Sequence, residues 1–130
     1  MIKILALVLT LLGAASVVRA EDVNPRVVKI TAKNGRDLVF GSNVISNVRL
    51  ADNAEFNQIS FQVGEPMATA FSKLTSENVG NQIAISVCGE VISRSTVLSP
   101  IYGGGLALAG LEWERAREIT EILSGRRLCN

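Results

Sequence analysis

The sequence predicts an α+β domain in which two helices pack on one face of a mainly antiparallel sheet. Apolar and polar residues alternate over 58–63 and again over 83–87, and a spacing of two is typical of half-buried strands. Between 67 and 74 the apolar residues fall at i, i+3, i+4 and i+7, which indicates one face of a helix. Residues 113–123 repeat the helical spacing. Hairpin-linked strands with two amphipathic helices favour this class.

The first elements form a predicted hairpin. The first strand is predicted by Val27, Val28 and Ile30, and residues 36–40 predict the strand that returns beside it. Between them, Asn34-Gly35 is typical of a two-residue hairpin loop, because both residues tolerate positive φ. A short strand-like stretch follows and ends near Leu50.

The remaining elements follow in the same way. Gly64-Glu65-Pro66 separates the strand at 58–63 from the first helix, which ends at Asn78 and Gly80. A second hairpin turns at 88–90. Glycines at 103–105 predict a loop before a short strand at 106–109, and Gly125 suits the end of the last helix.

Residues 1–20 have the pattern of a cleaved secretory signal. Lys3 precedes an apolar run at 4–12, and Val18-Arg19-Ala20 predicts cleavage between Ala20 and Glu21. A retained membrane anchor is the alternative, although the run is about half the length of a spanning helix. Removing this segment leaves 13 − 2 = 11 basic and 12 acidic residues. We therefore expect a periplasmic or secreted protein with no stable membrane span after signal removal.

Composition excludes several classes of function. The 130 residues suit one domain, and 48% apolar residues are too many for a disordered chain. Balanced charge argues against a nucleic-acid partner. The absence of histidine excludes a His-based triad and the common His-containing zinc sites. No catalytic, cofactor-binding or metal-binding residues are predicted, and the protein is not expected to be an enzyme.

Export would place the two cysteines in an oxidising compartment, where disulfides persist. Two cysteines allow one intramolecular pairing. We predict a disulfide between Cys88 and Cys129, which are 129 − 88 = 41 positions apart. A buried Cys88 with a free Cys129 is the alternative.

One run of the sequence resembles a known family. Residues 71–85, FSKLTSENVGNQIAI, resemble the F-x-x-L-T-x-x-N-V-G pattern of the SecD protein-export family. The segments 89–93, 100–104 and 108–123 resemble later family motifs in the same order. The resemblance covers residues 40–127 and implies a SecD-head-like domain at 40–130, preceded by a hairpin extension at 21–39. Cys88 replaces the family's hairpin Asp.

Several residues allow both a structural and a functional interpretation. Structural roles are favoured for each of them: a bend at the triple glycine, a turn at Asn78, a salt-bridged face for the acidic residues of the last helix, and a core position for the tryptophan. The residues are Asn78-Val79-Gly80, Gly103-Gly104-Gly105, Glu112, Trp113, Glu114, Glu118 and Glu121.

Family members continue into membrane helices that use the proton gradient, so the resemblance implies only what the head subdomain does. The predicted function is an exported, non-enzymatic binding module that contacts extended polypeptide or an envelope protein, accessory to protein export. Extended chains could add to an edge strand of the sheet through main-chain hydrogen bonds. The alternative is a structural or inhibitory module that docks one folded partner. Oligomeric state is left open.

Overall fold

The structure is a computed structural model that describes residues 27–52 and 57–129. The predicted signal segment, with its cleavage site at Ala20 and Glu21, lies outside the described residues. Within the described ranges, the chain forms seven strands, two α-helices and one short 3-10 turn. The α+β class is therefore confirmed.

The strands divide into two antiparallel sheets rather than forming one. The first sheet contains β1 (Val28–Ala32), β2 (Asp37–Phe40), β5 (Gln82–Val87) and β6 (Glu90–Thr96), in the spatial order β2-β1-β5-β6. The second contains β3 (Ile45–Asp52), β4 (Asn57–Val63) and β7 (Gly105–Ala109), in the order β3-β4-β7. The 3-10 turn, Ser42–Val44, carries the chain from β2 into β3. We call the two sheets the four-stranded sheet and the three-stranded sheet.

One hydrophobic core joins the two sheets. Helix α1 (Met67–Ser76) packs against β2, and helix α2 (Trp113–Leu123) packs against β3 and β4. Alternate residues of β1, β4, β5 and β7 point into this core, as the period-two pattern predicts. Phe71 of α1 and Ile119 of α2 are almost completely buried. Each helix therefore covers the core side of a different sheet.

The N-terminal hairpin is built into the four-stranded sheet. Its first strand, β1, pairs with β2 on one side and with β5 on the other. Val28 and Ile30 of this strand are fully buried. The predicted division of the chain at residue 40 stays a prediction, but the strand before it contributes to the same core as the strands after it.

The first hairpin loop has three residues, not the predicted two. Ala32 donates its N–H to the carbonyl of Arg36, which leaves Lys33, Asn34 and Gly35 in the loop. Gly35 has φ +88, whereas Asn34 does not have a positive φ. A type I turn followed by a left-handed glycine is the usual form of a three-residue hairpin loop. This loop needs only one left-handed residue, Gly35. The hairpin predicted from Asn34-Gly35 is therefore present, but its predicted loop length of two residues is wrong.

Candidate functional site

The strand β6 is a long, exposed edge of the four-stranded sheet. Among the described strands it forms a ladder with β5 alone, from Gln82↔Thr96 to Val87↔Glu90. None of its seven side chains is buried. A bulge at Ile92 interrupts the ladder, and from Ser93 onward the pairing is regular. The backbone groups on the far side of such an edge can pair with another chain.

The other three edges are less suitable for pairing with a long segment. β2 has four residues, lies against α1, and is flanked by an Arg36–Glu77 ion pair at 3.5 Å. β7 has five residues. β3 has eight, but it is bulged between Ser46 and Arg49, and Asn47 there has φ +54. Bulges and short length are devices that protect sheet edges from pairing. β6 is bulged as well, at Ile92, but it has seven residues, none of them buried, and none has a positive φ.

Exposed apolar side chains lie where β6 ends. Leu98 is 85% exposed and Tyr102 is 73% exposed, and both belong to the loop that follows β6. Val79 is half exposed in the turn after α1. The N–H of Gly80 donates to the carbonyl of Val97 at 2.7 Å, so the segments that carry Val79 and Leu98 are hydrogen-bonded neighbours. We call β6 together with Val79, Leu98 and Tyr102 the β6 surface.

The loop from 97 to 104 is fixed to the core even though its side chains are exposed. Val97 is buried, and its N–H donates to the carbonyl of Asn81 at 2.9 Å. The N–H of Ile101 donates to Oγ1 of Thr75 at 2.9 Å. These bonds anchor both ends of the segment that carries Leu98. Leu98 is therefore exposed on a backbone segment that hydrogen bonds hold in place.

Asn78 has a structural role in the turn that follows α1. Its side chain is fully buried, and Nδ2 donates to the carbonyl of Leu74 at 2.8 Å. Oδ1 accepts a bond from Nδ2 of Asn81 at 3.4 Å. Gly80 has φ +88, which suits glycine. Of the three turn residues, only Val79 presents its side chain to solvent to a large extent.

The triple glycine also has a structural role. Gly104 is buried with φ +77, and a Cβ there would lie 2.3 Å from the carbonyl oxygen of Val63. Its own carbonyl accepts a bond from the N–H of Val63 at 2.9 Å. At Gly103, φ is +85, but a Cβ would meet nothing within 4 Å. Gly104 therefore forms the close approach between this loop and β4, whereas Gly103 contributes a positive φ to the turn.

The acidic residues of α2 take part in an ion network. Nη1 of Arg115 bonds Oε1 of Glu118 at 2.5 Å, and its Nη2 bonds Glu90 at the start of β6. Nε of Arg127 bonds Oε1 of Glu121 at 2.9 Å. The predicted salt-bridged face is present at these positions, and it links α2 to the second hairpin and to the C-terminal segment.

A disulfide connects the same two regions. Cys88 and Cys129 are bonded, with their Cα atoms 5.5 Å apart. Cys88 and Gly89 form the two-residue loop between β5 and β6, with φ values of +52 and +83. Positive φ at both positions favours Asn-Gly or Asp-Gly in such a loop. Cysteine is less favourable than Asn or Asp at the first of these positions. The loop therefore pays a conformational free-energy cost to place Cys88 where it forms the disulfide.

The core position expected for Trp113 is wrong. Trp113 is 38% exposed and lies outside the buried cluster. The buried residues of α2 are Ala116, Ile119, Ile122 and Leu123. Trp113 is three residues before Ala116, but it is the first residue of the helix, so it lies at the end of the buried stripe.

The sequence patterns do not reveal the exposed apolar residues of the β6 surface. Leu98 and Tyr102 lie in a loop between Thr96 and Gly103, where they follow neither strand nor helix spacing. The available signal for an exposed apolar patch was that the apolar residues near Pro100 follow no periodic spacing. None of the helices within residues 27–52 and 57–129 has the length and hydropathy of a membrane-spanning helix. The same residues contain no cluster of three metal-ligating side chains.

These features define a small, disulfide-bonded α+β domain that presents an edge strand and a neighbouring apolar loop. A family model described as "SecDF, P1 head subdomain" matches residues 14–128. The chain therefore belongs to the SecDF P1 head subdomain family, which is part of the protein-export machinery. As a member of this family it is an extracytoplasmic domain.

Two curated relatives are SecD subunits of the protein translocase. The subunit from Acidaminococcus fermentans is 32% identical over 89 residues, which is 68% of this chain and 21% of that protein. The subunit from Leptotrichia buccalis is 30% identical over 95 residues, which is 72% of this chain and 24% of that protein. The chain thus spans about a quarter or less of the length of these relatives.

Two solved structures share the fold. One is described as a membrane component, SecDF, that enhances protein export; it has a TM-score of 0.62 at 20% identity and covers 82% of this chain and 66% of that one. The other is SecDF in a super-membrane-facing form, with a TM-score of 0.64 at 17% identity, covering 82% of this chain and 20% of that one.

Proposed function

We propose that this domain is a non-enzymatic module that binds extended segments of exported polypeptide along the β6 surface. The observation that carries the proposal is that β6, which pairs with one strand only among the described strands, ends two residues before Leu98, the most exposed large apolar side chain of the described residues. Membership of an export family supports this choice of ligand.

Strand addition is chemically suited to this ligand. An exported chain that has not yet folded has free backbone N–H and C=O groups, and an edge strand pairs with them whatever the sequence. Apolar contacts then add affinity without strict specificity. On this surface Val91 lies near one end of β6, and Leu98 lies just past the other.

A binding titration tests the proposal. We expect a labelled 20-residue segment of an unfolded exported protein to bind with a micromolar Kd, and several unrelated segments to bind within about tenfold of one another, because main-chain pairing is tolerant of sequence. Leu98→Ser should weaken binding. Leu98 is so exposed that the variant should fold normally.

Leu128→Ser provides a matched control. Leu128 is also an exposed leucine, but the neighbouring Cys129 is bonded to Cys88, at the opposite end of β6 from Leu98. Its loss should leave the affinity unchanged. Tight binding to one folded envelope protein, with no binding to unfolded segments, would contradict the proposal and favour a docking module instead.

The proposal includes export of the chain by its predicted signal. The first residue of the protein recovered from the periplasmic or secreted fraction should be Glu21, as found by N-terminal sequencing. Recovery of a chain that still begins at Met1 in the membrane fraction would contradict cleavage and favour a retained anchor.

A further inference from the structure

The solvent side of the four-stranded sheet has a basic hollow beside β6. Thr31 of β1 is paired with Ala84 of β5, and Ala84 is paired with Arg94 of β6, so these three residues form one row across the sheet. The neighbours of this row in β1 and β5 point into the core. The row therefore lies on the outer face, where small side chains form the floor and Arg94 forms the edge.

The hollow has a volume of about 470 Å³. Lys33 lies at its other side, directly after β1, and Asn81 and Gln82 add amide groups. Arg94 lies on β6, two strand spacings from β1, which is about 10 Å across the sheet, and Lys33 follows β1 two residues beyond the row that contains Arg94. Both side chains are long, and Thr31 and Ala84 between them are short.

The two cations are not neutralised by the acidic groups around them. Neither Lys33 nor Arg94 forms an ion pair with any described residue. The described carboxylates near this sheet have other partners: Asp37 pairs with Lys29 at 3.6 Å, Glu77 pairs with Arg36, and Glu90 pairs with Arg115. The hollow therefore carries a net positive charge at neutral pH.

We infer that this hollow recognises acidic side chains of an extended polypeptide bound along β6. The inference rests on the proposed function and names the class of segment preferred at that surface. A strand added to β6 would direct alternate side chains over the face that carries Arg94. A Glu or Asp in that position would lie one strand spacing, about 5 Å, from Arg94 and about three strand spacings from β1, the strand that Lys33 follows. Arg94 would therefore pair with it directly, and Lys33 would add a weaker attraction over a longer distance.

The charge count and shape favour a peptide over a membrane or a nucleic acid. Binding to anionic lipid generally needs clusters of four to eight basic residues, whereas the described residues that line the hollow include two, Lys33 and Arg94. Two phosphate contacts would give nucleic acid only a weak affinity, because each contact contributes little and the slope of log affinity against log salt would be only about −2. A hollow of about 470 Å³ that carries two cations and is bordered by an edge strand matches one or two carboxylates on an extended chain.

Paired peptides test the inference. One 12-residue segment carries two Glu residues, and its control carries Gln at the same positions. We expect the wild-type protein to bind the Glu peptide about fivefold more tightly at low salt, as expected for two exposed ion pairs. The preference should fall at high salt. Arg94→Gln should reduce it more than Lys33→Gln, and the double variant should abolish it.

The control variant is Arg117→Gln, an exposed arginine on α2 outside the hollow. It should keep the full preference, and all variants should bind the Gln peptide equally well. Equal affinity for both peptides, or a preference that persists in the double variant, would overturn the inference while leaving the proposed function intact. Failure of both peptides to bind would overturn both. Binding to vesicles of one part phosphatidylglycerol to three parts phosphatidylcholine, lost in the double variant and without any peptide preference, would assign the hollow to a membrane surface instead.

Discussion

The backbone N–H of Ile101 donates a 2.9 Å hydrogen bond to Oγ1 of Thr75, a fully buried residue in the last turn of α1. The same hydroxyl donates towards the carbonyls of Phe71 and Ser72, each at 3.0 Å. One side chain thereby attaches the exposed loop after β6 to the helix. The Thr of the family's L-T-x-x-N-V-G run thus positions the loop that carries Leu98.

Thr75→Val should destabilise the domain by about 1–3 kcal/mol, because it leaves the partly buried Ile101 N–H without an acceptor while keeping the side-chain shape. Urea unfolding measures the change. Ser76→Ala is the control: Ser76 is exposed and also bonds a helix carbonyl, at 2.9 Å, so its loss should cost less than about 0.5 kcal/mol. Equal effects of the two substitutions would contradict this role for Thr75.

Gly104→Ala should be much more destabilising than Gly103→Ala. Both positions have positive φ, which costs an L-residue about 1–2 kcal/mol. Only at Gly104 would the new Cβ also collide with the carbonyl of Val63, which adds roughly 1–3 kcal/mol for the forced backbone shift. Thermal or urea unfolding of the two variants gives the comparison. Similar stabilities would mean that the loop does not approach β4 as closely as described.

Removing the disulfide should lower the free energy of unfolding by about 4 kcal/mol for a closed loop of this length. The replacement chosen for Cys88 should matter. Cys88→Asn with Cys129→Ser should be roughly 1 kcal/mol more stable than Cys88→Ser with Cys129→Ser, because Asn tolerates the left-handed conformation at φ +52. If the Ser variant were equally stable, the loop between β5 and β6 would not require positive φ at this position.

Arg115→Gln should have a small effect on stability despite its two carboxylate partners. Its side chain is 30% exposed and Glu90 is 64% exposed, and ion pairs open to water contribute at most about 1 kcal/mol. Unfolding at 20 mM and 500 mM NaCl should show the difference shrinking with salt. A loss above about 2 kcal/mol that does not depend on salt would indicate that Arg115 holds α2 in place by packing.

The secondary structure was largely predictable because it depends on local spacing. The alternation in β4 and β5 and the i, i+3, i+4 pattern of α1 follow from which side faces the core, and both are readable in the sequence. The split into two sheets was not predictable in this way, because it depends on which strands pair with one another. The step from β2 into the other sheet occurs within Gly41 and a three-residue turn that has no strong signal of its own.

The candidate site was less predictable for a related reason. The sequence indicates that a small antiparallel sheet has edge strands. Which strand lies at an edge depends on the pairing of all the others, because an edge strand is one that has a partner on one side only. The position of β1 between β2 and β5 is a long-range pairing, and it leaves β6 at the border. The apolar residues Leu98 and Tyr102 could equally have been buried, because a loop imposes no periodic constraint on its side chains.

The most direct test of strand addition at β6 is amide hydrogen exchange of the folded domain, measured by NMR with and without a saturating unfolded segment. Along an edge strand, alternate N–H groups face outward and exchange quickly. We predict that the outward-facing amides between Ser93 and Leu98 become protected when the segment binds, while those of the edge strand β3 do not change. Binding that leaves every β6 amide as exposed as before, or that protects β3 instead, would contradict the account.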